Sequence, residues 1–189
     1  PGAGLRIERH PTLDTVNTVN GSSMNAVVGG VRGATIAGGG LPIGDPDPGF
    51  SFSGPNVVSD AYGTVGGGYG NRAGDSLGTV VDAAFATIGG GRNNSASGHT
   101  STIAGGFNNV AGAALSSITG GTYNVASGYS AFIGGGIDNE AGGFASSIPG
   151  GEANGTAGSH SFAAGRFARA NQNHCAVFGL WSTTTPMTC

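Results

Sequence analysis

Isoleucine returns every 15 residues through the middle of this chain, at Ile88, Ile103, Ile118, Ile133 and Ile148, and its neighbours return with it. With the isoleucine as position 0, position 2 is glycine in six units from Gly90 to Gly165, and position 3 is glycine in five, from Gly91 to Gly151. Position 6 is asparagine in the same five units (Asn94, Asn109, Asn124, Asn139 and Asn154), and position 8 is Ala96, Ala111, Ala126 and Ala141. Ala163 and Phe178 continue the beat into two degraded copies. A unit this short has no room for a core of its own. It must be one coil of a stack in which neighbours cover each other. A scaffold or fibre is expected ahead of an enzyme.

The apolar positions lie too far apart for a helix, and the glycines lower helical propensity further. Two short strands per unit fit instead, one ending at the isoleucine and one at the alanine of position 8. Glycine and asparagine turn the corners that need a positive φ. The expected fold is all-β, a parallel β-roll or β-solenoid. About nine coils at roughly 4.8 Å give a rod about 40 Å long. The stacked asparagines read both as left-handed turn residues and as a hydrogen-bonded ladder of the kind found in cross-β stacks.

Composition removes other classes. Glycine makes up 40 of 189 residues, yet it has no triplet period and proline is scarce, which excludes collagen. Periodic apolar residues and a charged fraction of 9% argue against disorder. Seven Lys and Arg in a chain of net charge −3 form no stripe for nucleic acid. No run of about 18 apolar residues predicts membrane insertion. The opening Pro1-Gly2-Ala3-Gly4 has neither initiator methionine nor signal peptide, as in a processed secretory product or a trimmed piece.

Upstream the beat is interrupted. Val65 and Ile36 open further coils, with insertions near residues 41–55 and 75–86 that should project as loops. Residues 1–27 show no repeat and read as an N-terminal arm. Residues 28–181 form the roll, and 182–189 a tail. In the arm, Leu5 and Ile7 alternate with charges, as in an exposed strand or a docking segment. At the other end Phe178, Leu180 and Trp181 either cap the stack or dock the next molecule, in which case head-to-tail contacts would build a filament. Cys175 and Cys189 are disulfide candidates; two free thiols or an interchain bond are the alternatives. Aromatic residues also recur in phase: Phe107 and Phe167 at position 4, Tyr129 and Phe144 at position 11, Phe132 and Phe162 at position 14. So thin a rod would bury them against partner chains, which favours an oligomer.

The segment Ser101 to Ser116, Ser-x-x-Ile-x-Gly-Gly-x-x-Asn-x-Ala-x-Gly-x-x-Ser, resembles the head repeat of trimeric autotransporter adhesins of the YadA type. The stretches Gly33–Gly40, Tyr62–Tyr69 and Ser161–Asn171 are similar to repeats of secreted adhesin-like or tail-fibre-like bacterial proteins. The resemblance covers about residues 28–181. It implies a left-handed roll, a homotrimer of chains side by side, and display outside a cell. This unit has one residue more than the family's 14 and Gly-Gly in place of Ile-Gly. No coiled-coil stalk, membrane anchor or chaperone domain is present, as in a fragment or a short relative. No ligand-binding residue carries over.

Sites with chemistry are few. The glycine clusters lack the Lys-Ser or Lys-Thr of a phosphate loop. Asp45 and Asp47, with Asp60, Asp75 and Asp82, offer oxygens to calcium, but that ion wants six to eight convergent ligands and a solvated loop is the simpler reading. His10, His99, His160 and His174 show no ligand spacing; His99 and His174 share position 11 several coils apart. Sequons at Asn20, Asn93 and Asn154 are expected by chance in such a chain and idle in a bacterial one. The expectation is an extracellular structural protein without catalytic site, cofactor or metal, whose main partner is itself. The alternative is an adhesin head that takes a surface or glycan ligand through its insertion loops.

Overall fold

A computed structural model describes residues 4–41, 54–179 and 187–189. The middle of the first insertion, with Asp45 and Asp47, and the expected cap residues Leu180 and Trp181 lie outside the described residues. Ten coils stack into an all-β parallel solenoid, each giving one strand to each of two sheets. One sheet carries the isoleucines: Thr87–Ile88, Thr102–Ile103, Ser117–Ile118, Phe132–Ile133 and Ser147–Ile148 pair in parallel and in register. The other carries the position-8 alanines in Ser95–Ala96, Val110–Ala111, Val125–Ala126 and Glu140–Ala141. Single bridges at position 4, from Tyr69 through Arg92, Phe107, Thr122 and Ile137 to Glu152, form a third edge between them.

The interior is one column deep. The five isoleucines, the position-8 alanines, and the serines or alanine of position 13 (Ser101, Ser116, Ala131, Ser146) are all buried. Each isoleucine contributes about 1.5–3 kcal/mol. The asparagines contribute by hydrogen bonding. Asn94 Oδ1 accepts from the amide and the side chain of Asn109, whose Oδ1 serves Asn124 in the same way, and so on to Asn154. The ladder begins upstream, through Asn25, Asn56 and Asn71.

One expectation about the turns changes, and the other, glycine at a positive-φ corner, holds. The ladder asparagines are not left-handed. The residue before each one is (Asn93, Asn108, Tyr123, Asp138, Ala153), as is position 12 (Thr100, Leu115, Ser130, Ala145, His160). A buried amide bonded above and below cannot also sit at the solvent-facing bend. Glycine at position 3 is required because its α-carbon lies against the next coil: a Cβ on Gly121, at φ +86°, would overlap the Gly136 carbonyl oxygen.

The ends also differ from the sequence reading. The stack starts inside the expected arm, where Val16–Val19 pairs in parallel with Thr35–Ile36 and buries Val19 beneath Ile36. Arg6–Arg9 folds back antiparallel on Val16–Val19, and Arg6 reaches the Asn25 carbonyl at 2.9 Å. Near the other end one residue is lost between Phe162 and Gly165. Gly165 therefore pairs with Gly151, in place of continuing position 2, and Phe167 takes the left-handed place after it. The coil that starts at Ala163, the one before the last, is 14 residues long, so Val177, not Phe178, stacks on Ala163 and is buried. The narrow interior admits a branched aliphatic side chain, and the phenylalanine ring turns outward.

Candidate functional site

At the left-handed bend, side chains of position 12 (Tyr62, Phe85, Leu115, His160, His174) and of position 11 beside it (His99, Tyr129, Phe144) share one outward corner, one above another. Along this corner Tyr62 stacks on Phe85 with ring centres 5.0 Å apart, and Phe85 meets the edge of His99 at 5.8 Å. After Leu115 the column resumes with Tyr129 on Phe144 at 5.4 Å, then His160 at 5.4 Å and His174 at 5.3 Å. Tyr62, Phe85, Leu115, Tyr129 and Phe144 are each about 40–50% exposed, so the rings cover one another but not the corner as a whole. His160 and His174 lie face to face, because the shortened coil from Ala163 moves His174 from position 11 to position 12. A second column runs along position 4, where the Arg92 guanidinium sits between the rings of Tyr69 and Phe107, 5.1 and 5.0 Å from their centres.

At the ends, Leu5, just before the antiparallel strand, and Ile7, on it, are exposed; Phe178 at the other end is exposed too, its ring 5.5 Å from that of Phe162. Cys175 and Cys189 are joined, with Cα atoms 6.4 Å apart. The bond ties the end of the coil from Ala163 to the Met187–Thr188 strand of the last coil, which pairs with Ala168–Ala170.

Beneath the second insertion lies a cluster of acids. Position 10 is Gly98, Ala113, Gly128, Gly143 and Gly158 in the regular coils, but Asp60 and Asp75 in two consecutive coils. The pairing of Val57–Val58 with Arg72–Ala73 sets them one above the other, and the Asp75 amide donates to Asp60 Oδ2 at 2.9 Å. Asp82, from the insertion, completes a trio whose carboxylate oxygens lie within 4.8 Å of one another. The three differ in setting. Asp60 is 1% exposed, Asp75 half-buried and Asp82 exposed. Asp60 Oδ1 accepts no hydrogen bond. Burial pushes the Asp60 carboxyl above the usual carboxylate range. The amides of Asp75 and Ala83 oppose that shift, and the charges of Asp75 and Asp82 add to it. A cleft of about 180 Å³ opens beside the cluster, lined by Val28, Ser59, Asp60, Asp75, Leu77 and Val80. The sequence offers these three acids to calcium together with Asp45 and Asp47, with a solvated loop as the simpler reading; the structure brings Asp60, Asp75 and Asp82 to one place, and the pair of acids at position 10 is the break in the repeat that marks it.

No protein-family model matches the chain, and no curated protein matches it at a significant level.

Proposed function

We propose that the chain is an extracellular structural protein, the subunit of a self-assembling surface fibre or adhesin shaft, working as a homotrimer and not as an enzyme. The exposed aromatic corner carries this reading. Its rings repeat at the coil spacing of roughly 4.8 Å, and a second copy of the same rod has the same spacing along its whole length. Side-by-side copies would bury the column in register, with offset-stacked and edge-to-face contacts adding about 0.5–1.5 kcal/mol per pair beyond the buried area. Resemblance to trimeric adhesin heads supports the same arrangement. The antiparallel strand at the amino end, with its charged Arg6, Glu8 and Arg9, blunts the edge of the stack there, which favours lateral over axial contacts.

Sedimentation and negative-stain microscopy of the purified chain test this reading. Trimers or laterally bundled fibres at micromolar concentration are expected, dissolving to monomers in the double variant Tyr129→Ser, Phe144→Ser. A wild-type chain that stays monomeric refutes it. A second reading, an adhesin head with a surface or glycan ligand, is supported by Leu77, which projects from the 75–86 insertion with 78% of its surface exposed. Shortening that insertion should then abolish adhesion while the roll stays folded in calcium-free buffer.

A further inference from the structure

We propose that Asp60, Asp75 and Asp82 hold one Ca²⁺ ion that fastens the 75–86 insertion to the roll. The inference stands apart from the assembly reading and rests on the acids themselves. Two donors on a calcium ion, each about 2.3–2.6 Å from it, lie at most about 5 Å apart, and the three carboxylates meet that limit. All offer hard oxygen, the donor type this ion prefers.

A solvated loop explains the exposed Asp82 but not Asp60. Its Oδ1 is buried without a hydrogen-bond partner, a costly place for an uncompensated carboxylate. The described residues bring no cation to it. Among the described residues none of the three acids forms an ion pair. The nearby Arg72 guanidinium turns instead to the hydroxyls of Ser59 and Ser76, at 3.1 and 2.8 Å. Asp75 Oδ1 receives the Leu77 amide at 2.9 Å, which fixes this carboxylate on the insertion's first turn. The cleft beside the trio admits the waters that fill the remaining coordination positions. Two acids come from successive coils of the roll and the third from the insertion, so an ion shared among them would clamp the loop down.

Calorimetric titration of the chelator-treated full chain with CaCl₂ tests this, with Tm measured in parallel. One ion per chain is expected, with Kd on the order of 10⁻⁴ M. Calcium at about 100-fold Kd should raise Tm by roughly 5–10 °C. Asp82→Asn, on the exposed loop, should fold normally and bind at least about tenfold more weakly. Asp60→Asn should lose the calcium response while its metal-free Tm stays at or above that of the wild type. No binding up to about 10 mM CaCl₂, binding unaffected by both substitutions, or equal affinity for Mg²⁺ would each overturn the assignment.

Discussion

Truncating one rung of the asparagine ladder gives the sharpest test of how the rod is held together. Asn109 is fully buried. Its Oδ1 accepts from the Asn124 amide at 3.0 Å and the Asn124 side chain at 3.1 Å, while its Nδ2 reaches the carbonyls of Gly105 and Gly121 at 3.2 and 2.9 Å. In Asn109→Ala some partners keep other bonds. The Asn124 side chain still has Gly120 and Gly136, and the Gly121 carbonyl still takes the Phe107 amide. The buried Asn124 amide loses its acceptor. One such orphan costs about 1–3 kcal/mol, and the remaining lost bond about 0.5–1.5 kcal/mol, for a total of about 2–4 kcal/mol.

Asn109→Asp keeps the shape but turns a carboxylate oxygen toward three acceptors: the two glycine carbonyls and Asn94 Oδ1. Its deficit relative to wild type should exceed that of alanine at pH 7 and shrink as acidification protonates the group. Denaturant unfolding followed by circular dichroism measures both, with the exposed Thr102→Ala as control. Hydrogen exchange should place the loosening in the coils beside Asn109. If both ladder variants stay within about 0.5 kcal/mol of the control, the ladder is a bystander.

Other perturbations separate neighbouring features. Gly121→Ala forces a side chain onto the next coil at positive φ and should cost roughly 3–5 kcal/mol. Gly120→Ala, facing open space, should be neutral or stabilising by up to about 1 kcal/mol in the same unfolding assay. Reducing the Cys175–Cys189 bond should cost about 3 kcal/mol, with faster hydrogen exchange confined to the last coils. In the absence of calcium the raised Asp60 pKa makes protonation favour the folded state. Stability should therefore fall as pH rises through the folded-state pKa, and recover fully only below the unfolded value of about 3.9. That slope should vanish in Asp60→Asn, as read by Tm against pH.

The period, the two strands per coil and the two insertions are all legible in the sequence, because inward isoleucine, alanine and asparagine recur without exception from Ile88 to Asn154. The Leu41–Gly54 bridge closes the first insertion where the spacing excess locates it. Legibility fails where the markers thin out. The first coil has Val19, Gly21, Asn25 and Val27 at positions 0, 2, 6 and 8, but no glycine pair to announce it. In the last coils Ala163-Ala164-Gly165 fits either of two registers, and only packing against Gly151 and Cys175 chooses between them. The acids Asp60, Asp75 and Asp82 are visible in the sequence as candidate ligands, but their convergence is not: 15 and 7 residues apart, they meet only when one coil lies on the next and the insertion folds back over both.

Fourteen residues other than glycine hold a positive φ among the described ones, and at position 12 they include Thr100, Leu115, Ser130, Ala145 and His160. Such a bend costs an ordinary residue about 1–2 kcal/mol, yet the corner accepts hydroxyl, aliphatic and aromatic side chains alike. The conformation there is imposed by the coils above and below, not by the residue that adopts it. Folding thus places almost no demand on what that corner displays. The rod amounts to a ruler whose marks are fixed by the backbone, while the character written at each mark is free to change one coil at a time.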